Sequence, residues 1–395
     1  MSQPDPRLTT GLIHHPYEAP AGFAAVPVAV HKASTIVFPN VAAMRARDWK
    51  HKTGYTYGLH GTPTSFVLEE RIATLEGAKH CVLAPSGLAA IMVVNVALLK
   101  SGDHLVLPDN VYGPSKEMAR TLLADWGITH TLYDPMDVQS LSAAITPQTR
   151  LVWLEAPGSV SMEFPDLRAL VQAARERGVT TALDNTWGAG VAFNAFDLGQ
   201  GLAVDISMHA LTKYPSGGAD VLMGAVCTVD EALHQKMLLT HMRLGIGVGA
   251  NDVETLLRAL PTTQLRYEAH DRSARELAAW LGQQPRVAQV LHPALPGAPG
   301  HAHWASHCRA AAGLFSVMLD EALTPAQVDA FCDALTLFKL GYSWGGPASL
   351  VVPYQLGSMR AQPQSLRGHL VRFSIGLERV DDLKADLVQA LERLA

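Results

Sequence analysis

Between residues 61 and 255 short apolar runs alternate with longer helix-like segments. This alternation constrains the fold more than any other feature of the chain. "HCVLAPSG", "DHLVLPDN", "RLVWLEAP" and "TTALDNTW" carry apolar stretches too short for helices. "TSFVLEERIATLEGAKH", "LAAIMVVNVALLKSG", "PSKEMARTLLADWG" and "LRALVQAARERG" read as the helices around them. The third has proline at its start and glycine just past its end, the order that suits a helix. Strand–helix–strand alternation predicts a mostly parallel central sheet covered by helices on both faces, an α/β fold. Residues 1–60 carry Pro, His and Gly with little periodicity and read as an N-terminal arm that packs on another part of the assembly. Residues 256–395 hold a long helical segment (254–284), the strand "GLFSVMLD", the helix "PAQVDAFCDAL", a loop rich in Gly, Ser and Trp, the strand "LVRFSIGLE" and a terminal helix. They predict a smaller C-terminal α+β domain.

Composition excludes several function classes. The chain of 395 residues is 48% hydrophobic and 17% charged, as globular proteins are. Basic residues are scattered and the formal net charge is −5, which argues against a nucleic-acid surface. The longest apolar run, from Leu88, is broken at Asn95 and too short to span a bilayer. The first residues show no basic start followed by an apolar block, so no secretory signal is expected. Cys81, Cys227, Cys308 and Cys332 are widely spaced, which suits a reducing cytoplasm.

Ligands of such sheets sit beyond the C-terminal ends of the strands. The residues there are "PSGL" (85–88), "NVYG" (110–113), "EAPGS" (155–159), "LDNTW" (183–187) and "ALTKY" (210–214). Each has a bland and a functional reading. Ser86-Gly87-Leu88 is either an ordinary strand-to-helix turn or a phosphate cradle of free N–H groups. Tyr112 is core, interface, or a ring that stacks on a flat ligand. Asp184 caps the next segment or pairs with a cation. Lys213 is a snorkelling surface lysine or a desolvated amine able to bind an aldehyde. Their combination is far more specific, and describes a pyridoxal phosphate site.

These residues lie in motifs that resemble the Cys/Met-metabolism family of pyridoxal-phosphate enzymes. The motifs are "YGLHGTPT" (57–64), "APSGLAA" (84–90), "NVYGPS" (110–115), "LDNTWGAG" (183–190), "HALTKY" (209–214), "HPALPG" (292–297), "YSWGG" (342–346) and "VRFSIGLE" (371–378). The resemblance runs from about residue 30 to 390 and implies the aminotransferase-type fold (fold type I). It implies that Lys213 holds the cofactor aldehyde, that Asp184 pairs with the ring nitrogen and that Tyr112 stacks on the ring. Gly87, Leu88 and Thr212 would hold the phosphate, and Arg372 the substrate α-carboxylate. Tyr57 would enter from a neighbouring subunit, in an assembly that is usually a homotetramer with shared sites.

Members acting at Cγ typically carry Pro-Ser/Thr-Asn-Pro, Asp-Asn-Thr-Phe and Ser-Leu-Gly where this chain has "APGS", "DNTW" and "YSWGG". Those stretches resemble the β-eliminating branch, with Ser343 and Trp344 at the substrate wall. The reaction implied is α,β-elimination of cystathionine to homocysteine, pyruvate and ammonia, a step of methionine biosynthesis. A γ-lyase, a γ-synthase and a cofactor-impaired relative are the alternatives, with a nicotinamide-linked dehydrogenase further off. Leu59 stands where the family motif has an arginine for the neighbouring phosphate, and Ala210 where many relatives have serine. "HAHWASH" (301–307) reads as exposed or packing histidines, and no metal is expected.

Overall fold

The computed structural model describes residues 8–49, 51–52, 54–360 and 366–394. Seven strands form the larger sheet: β1 (His80–Ala84), β2 (His104–Pro108), β3 (Thr129–Tyr133), β4 (Thr149–Glu155), β5 (Thr180–Asp184), β6 (Ile206–His209) and β7 (Gly224–Thr228). Their order is β1-β7-β6-β5-β4-β2-β3. β2 pairs in parallel with β3 and β4, β4 with β5, and β5 with β6. β7 runs against both of its neighbours, so β1 points the same way as the rest. All strands except β7 therefore end at one edge of the sheet.

Both faces are covered, as the alternation of short runs and helices requires. Val82, Leu105, Leu151 and Ala182 enter one core with the helices Gly87–Leu98 and Glu231–Leu244. Leu83, Val106, Val152 and Leu183 enter the other with Pro63–Glu76 and Leu167–Glu176. Burying each of these Val and Leu side chains contributes about 1.5–3 kcal/mol.

A second sheet of β8 (Val287–Leu291), β9 (Leu314–Leu319), β10 (Lys339–Leu340), β11 (Leu350–Tyr354) and β12 (His369–Ser374) has the order β10-β11-β12-β9-β8. The helices Thr263–Leu281, Pro325–Ala334 and Val380–Leu391 pack on it through Leu277, Phe331, Phe373 and Leu387. Between Leu8 and Pro63 the described residues form only short helical turns and no strand. Phe23, Val26 and Val37 are exposed there. Among the described residues no helix is long and apolar enough to cross a membrane.

Two expectations change. The helical segment 254–284 is divided into Ala250–Ala259 and Thr263–Leu281 by a 3-10 turn at Leu260–Thr262, because Pro261 has no N–H for the helical ladder. The Gly, Ser and Trp-rich loop is followed by the unforeseen strand β11, which Pro353 disguised. β11 tolerates that proline because β10 pairs only with Leu350 and Val351.

The buried carboxylate of Glu76 ties the layers together. It accepts from His209 Nδ1 (2.7 Å), Asn185 Nδ2 (2.9 Å) and Ser207 Oγ (2.7 Å), which lie just after β5 and within β6. Replacing it strands buried donors on the layer that carries the functional strand ends. Glu76→Ala is expected to lose about 3 kcal/mol or more of stability, read from urea unfolding. A loss below about 1 kcal/mol would show that the cluster is not a structural tie.

Candidate active site

Lys213 lies in the turn that follows β6. Lys213 N donates to Ala210 O (3.1 Å) and Gly217 N to Lys213 O (3.1 Å), so the turn is closed by its own backbone. The side chain reaches the loop before β11. Its Nζ donates to Ser343 Oγ at 2.7 Å and stands 5.4 Å from the centre of the Trp344 ring. Burial lowers the amine pKa to about 8, helped by Arg372 and opposed by Asp184. Such an amine is neutral over a useful fraction of time near neutral pH, which an exposed lysine is not. Gly345, at φ +79°, lets the loop come this close: a Cβ there would meet Tyr214 N at 2.9 Å and Lys213 C at 3.1 Å.

Asp184 ends β5 beside this turn, where Thr186 N donates to its Oδ1 at 3.0 Å. Burial raises its pKa, while Thr186, His209 and Lys213 pull the other way. A buried carboxylate in this position is suited to a cationic ring nitrogen, which would restore its charged form. Glu155, at the end of β4, is directly opposite Asp184 in the sheet register. Its pKa is raised well above the usual range, by burial first and Asp184 second. It accepts from Tyr112 N at 2.7 Å, so it holds the turn that carries the Tyr112 ring. The tyrosine is half-exposed. Its phenol pKa is raised by burial and by both carboxylates.

The helix Gly87–Leu98 starts at the same edge with Ser86 as its cap, whose Oγ accepts from Ala89 N at 3.0 Å. The Gly87 and Leu88 N–H groups at its tip have no acceptor within the helix. A Cβ on Gly87 would stand 2.7 Å from that of Ala210, so glycine permits the contact between helix tip and lysine turn. Thr212 is beside it, but its hydroxyl donates to Met223 O (3.2 Å) and accepts from Met223 N (3.1 Å). The hydroxyl proton is thus directed to backbone rather than to an open cradle.

Arg372 points in from β12. It is buried, with its guanidinium 5.3 Å from the Tyr354 ring and a long contact to Ser343 O at 3.5 Å. No carboxylate among the described residues lies within ion-pair distance of it, and burial lowers its pKa. A buried guanidinium without an acidic partner is fit to receive an anionic ligand.

The structure therefore brings Lys213, Asp184, Tyr112, Arg372, Ser343 and Trp344 into one neighbourhood, with Gly87, Leu88 and Thr212 at its edge. It does not bring Tyr57 there. That ring is exposed and makes an edge contact with His60 at 6.0 Å. Leu59 lines a separate cavity with Lys52, His60 and His241. His301 and His307 hydrogen-bond to backbone carbonyls, and His303 faces Asp166. Among the described residues no cluster of three or more His, Cys, Asp or Glu could hold a metal. Sequence reasoning gave Glu155 and Tyr354 no role. The place of Glu155 at a strand end was a usable signal, whereas nothing in the sequence marks Tyr354.

The lysine turn, the buried Asp184 carboxylate and the helix tip fit pyridoxal phosphate, and the buried Arg372 guanidinium fits a ligand carboxylate. Comparison with known proteins points the same way. The chain is 39% identical to a cystathionine beta-lyase of Bordetella avium, over 96% of this chain and 95% of that protein. It is 36% identical to the cystathionine beta-lyase MetC of Escherichia coli, over 99% of both. Among solved structures, a cystathionine gamma synthase of Xanthomonas oryzae pv. oryzae in complex with cystathionine superposes with a TM-score of 0.87, at 31% identity and 98% coverage of both chains. With residues 9–392 matching its model, the chain belongs to the Cys/Met metabolism PLP-dependent enzyme family.

Proposed function

We propose that this protein is a carbon–sulfur β-lyase that converts L-cystathionine and water to L-homocysteine, pyruvate and ammonia, a step of methionine biosynthesis. The observation that carries the reading is the Lys213 amine, buried and held at 2.7 Å by Ser343 beside Trp344. The names of the beta-lyase relatives support the substrate.

Pyridoxal phosphate, when bound, supplies an electron sink for the bonds at the substrate Cα. Asp184 would pair with its ring nitrogen, Tyr112 would lie against its ring, and the Gly87 and Leu88 N–H groups would hold its phosphate. Thr212 joins them if its hydroxyl leaves Met223. Arg372 binds the α-carboxylate and so orients Cα. Lys213 would hold the cofactor's aldehyde, and its neutral amine is the group that would take the proton from the substrate Cα and give a proton to the sulfur that departs from Cβ. Ser343 aims the amine, and Trp344 shields it from water. In this reading residues 61–255 carry the cofactor and residues 256–395 close the substrate side. Tyr57 enters from a neighbouring subunit of a cytoplasmic homotetramer, which would cover Phe23, Val26 and Val37 of the 1–60 arm.

Three measurements test this. Lys213→Ala is expected to lose the visible absorption of the protein-bound cofactor and at least about 10³-fold in turnover. The wild type is expected to form pyruvate from cystathionine; 2-oxobutyrate instead would make it a γ-lyase, and a protein left colourless by excess cofactor would make it a cofactor-impaired relative.

The pH dependence follows from the lysine. Its amine attacks an aldehyde only when neutral, and its pKa is lowered to about 8. Cofactor capture by the cofactor-free protein should accelerate as pH rises and level off above about pH 8. Arg372→Met removes the second cause of the lowering and should move that limb to higher pH. An unmoved limb would exclude Arg372 from the field at the amine.

Leu59 occupies the family's arginine position. Leu59→Arg should slow cofactor release by roughly tenfold through a charge-assisted contact with the neighbour's phosphate. Equal release rates would remove this position from the cofactor site.

A further inference from the structure

The stretch between β11 and β12 begins at Tyr354, whose ring packs under Arg372, and runs by Leu356–Ser358 to Arg360. Arg360 meets the opposite wall of the site. Its Nε donates to Asp109 Oδ2 at 3.3 Å. Its Nη1 donates to Ser161 Oγ at 3.0 Å and to both oxygens of Glu163, at 3.0 and 3.2 Å. Asp109 and Glu163 are buried, with side chains 1% and 10% exposed. Leaving either without a cation would be costly.

Lys116 answers from the other side. It belongs to the short helix that follows Tyr112, and its Nζ donates to Asp109 O (2.7 Å), Asp109 Oδ1 (3.1 Å) and Met359 O (2.7 Å). All three ammonium hydrogens have acceptors. Each wall thus sends a cation into the other. Lys116, beside Tyr112, grips the stretch at Met359, and Arg360, from the stretch, grips the segment that leads to Tyr112. Asn110 completes the joint, donating from Nδ2 to Glu163 Oε2 at 2.9 Å. Two cations and two carboxylates balance in charge.

We propose that Arg360 is a positioning residue that sets the spacing between the Arg372 guanidinium and the Tyr112 ring, working with Lys116, Asp109 and Glu163. The proposal rests on the reading of the Lys213 site given above. Arg360 touches no reacting atom. It ties residues 355–360, which leave from the Arg372 wall, to the turn that presents Tyr112. The expected consequence is a defect in binding amino-acid substrates more than in the chemical step.

The test uses holoenzyme carrying Arg360→Met, Arg360→Lys or Glu163→Gln. L-Alanine, which has an α-carboxylate and no leaving group at Cβ, serves as the binding probe, followed by the visible absorption of the bound cofactor. Arg360→Met should bind it about tenfold or more weakly, and raise KM for cystathionine similarly with kcat within about threefold. Arg360→Lys should recover part of the loss. Combining Arg360→Met with Glu163→Gln should weaken binding less than the product of the single effects, since both remove one joint. Chymotrypsin should cleave after Tyr354 or Leu356 faster in Arg360→Met than in wild type, in buffer without amino acid. Unchanged KM and L-alanine affinity in Arg360→Met would overturn the proposal. So would a fall in Tm and kcat with KM unmoved, which is the mark of a merely structural contact. If the wild type itself fails to bind L-alanine, the reading of the site falls; the cleavage rates still decide the tether, and equal rates overturn it.

Discussion

The amine of Lys213, withdrawn from water, is the interaction on which the site depends. Its stem leaves the turn after β6, yet its end is held by Ser343 and Trp344 from the loop before β11. Burial lowers its pKa, and Arg372 from β12 presses in the same direction. The larger sheet alone would leave this lysine in solvent with its usual charge. Contact between the two sheets' loops withdraws the amine from water and lowers its pKa, and that contact needs Gly345 against the Lys213 backbone.

The strand ends at the same edge raise a second electrostatic problem. Asp184 and Glu155 lie side by side at the ends of β5 and β4, both buried. Two adjacent buried carboxylates do not both ionise readily. Burial and the neighbouring Asp184 push the Glu155 pKa well up, while its carboxyl accepts the Tyr112 N–H. Burial raises the Asp184 pKa as well, and Thr186, His209 and Lys213 oppose that rise. Glu155 thereby shapes the Tyr112 turn, and Asp184 lies beside it at the same edge. The Glu76 cluster belongs to the opposite face of the sheet, packed with the helix Pro63–Glu76, and serves the fold.

The larger sheet was legible because its signals are local. Short apolar runs between amphipathic segments dictate parallel strands, and parallel strands dictate which residues gather at one edge. Lys213, Asp184, Tyr112 and Gly87 could be picked from that edge by chemistry alone. Arg372 was different: it sits mid-strand in β12, and only likeness to a known family marked it. Pro261 and Pro353 misled in opposite ways, the first by interrupting a pattern that reads as one helix and the second by hiding a strand next to the short edge strand β10. Thr212 was read as a phosphate contact, and the structure directs its hydroxyl to Met223. Arg360 carried no signal, because its partners Asp109 and Glu163 lie some two hundred or more positions away in sequence.

By itself the sequence determined the layered fold and which residues gather at one edge of the larger sheet. Periodicity and strand-end position express these directly in neighbouring residues. The tertiary structure alone decided how those groups behave. The lowered pKa values of Lys213 and Arg372 and the raised ones of Asp184 and Glu155 depend on burial and on charges brought from distant segments. Electrostatic free energy is a property of distance and dielectric, and both exist only once the chain is folded.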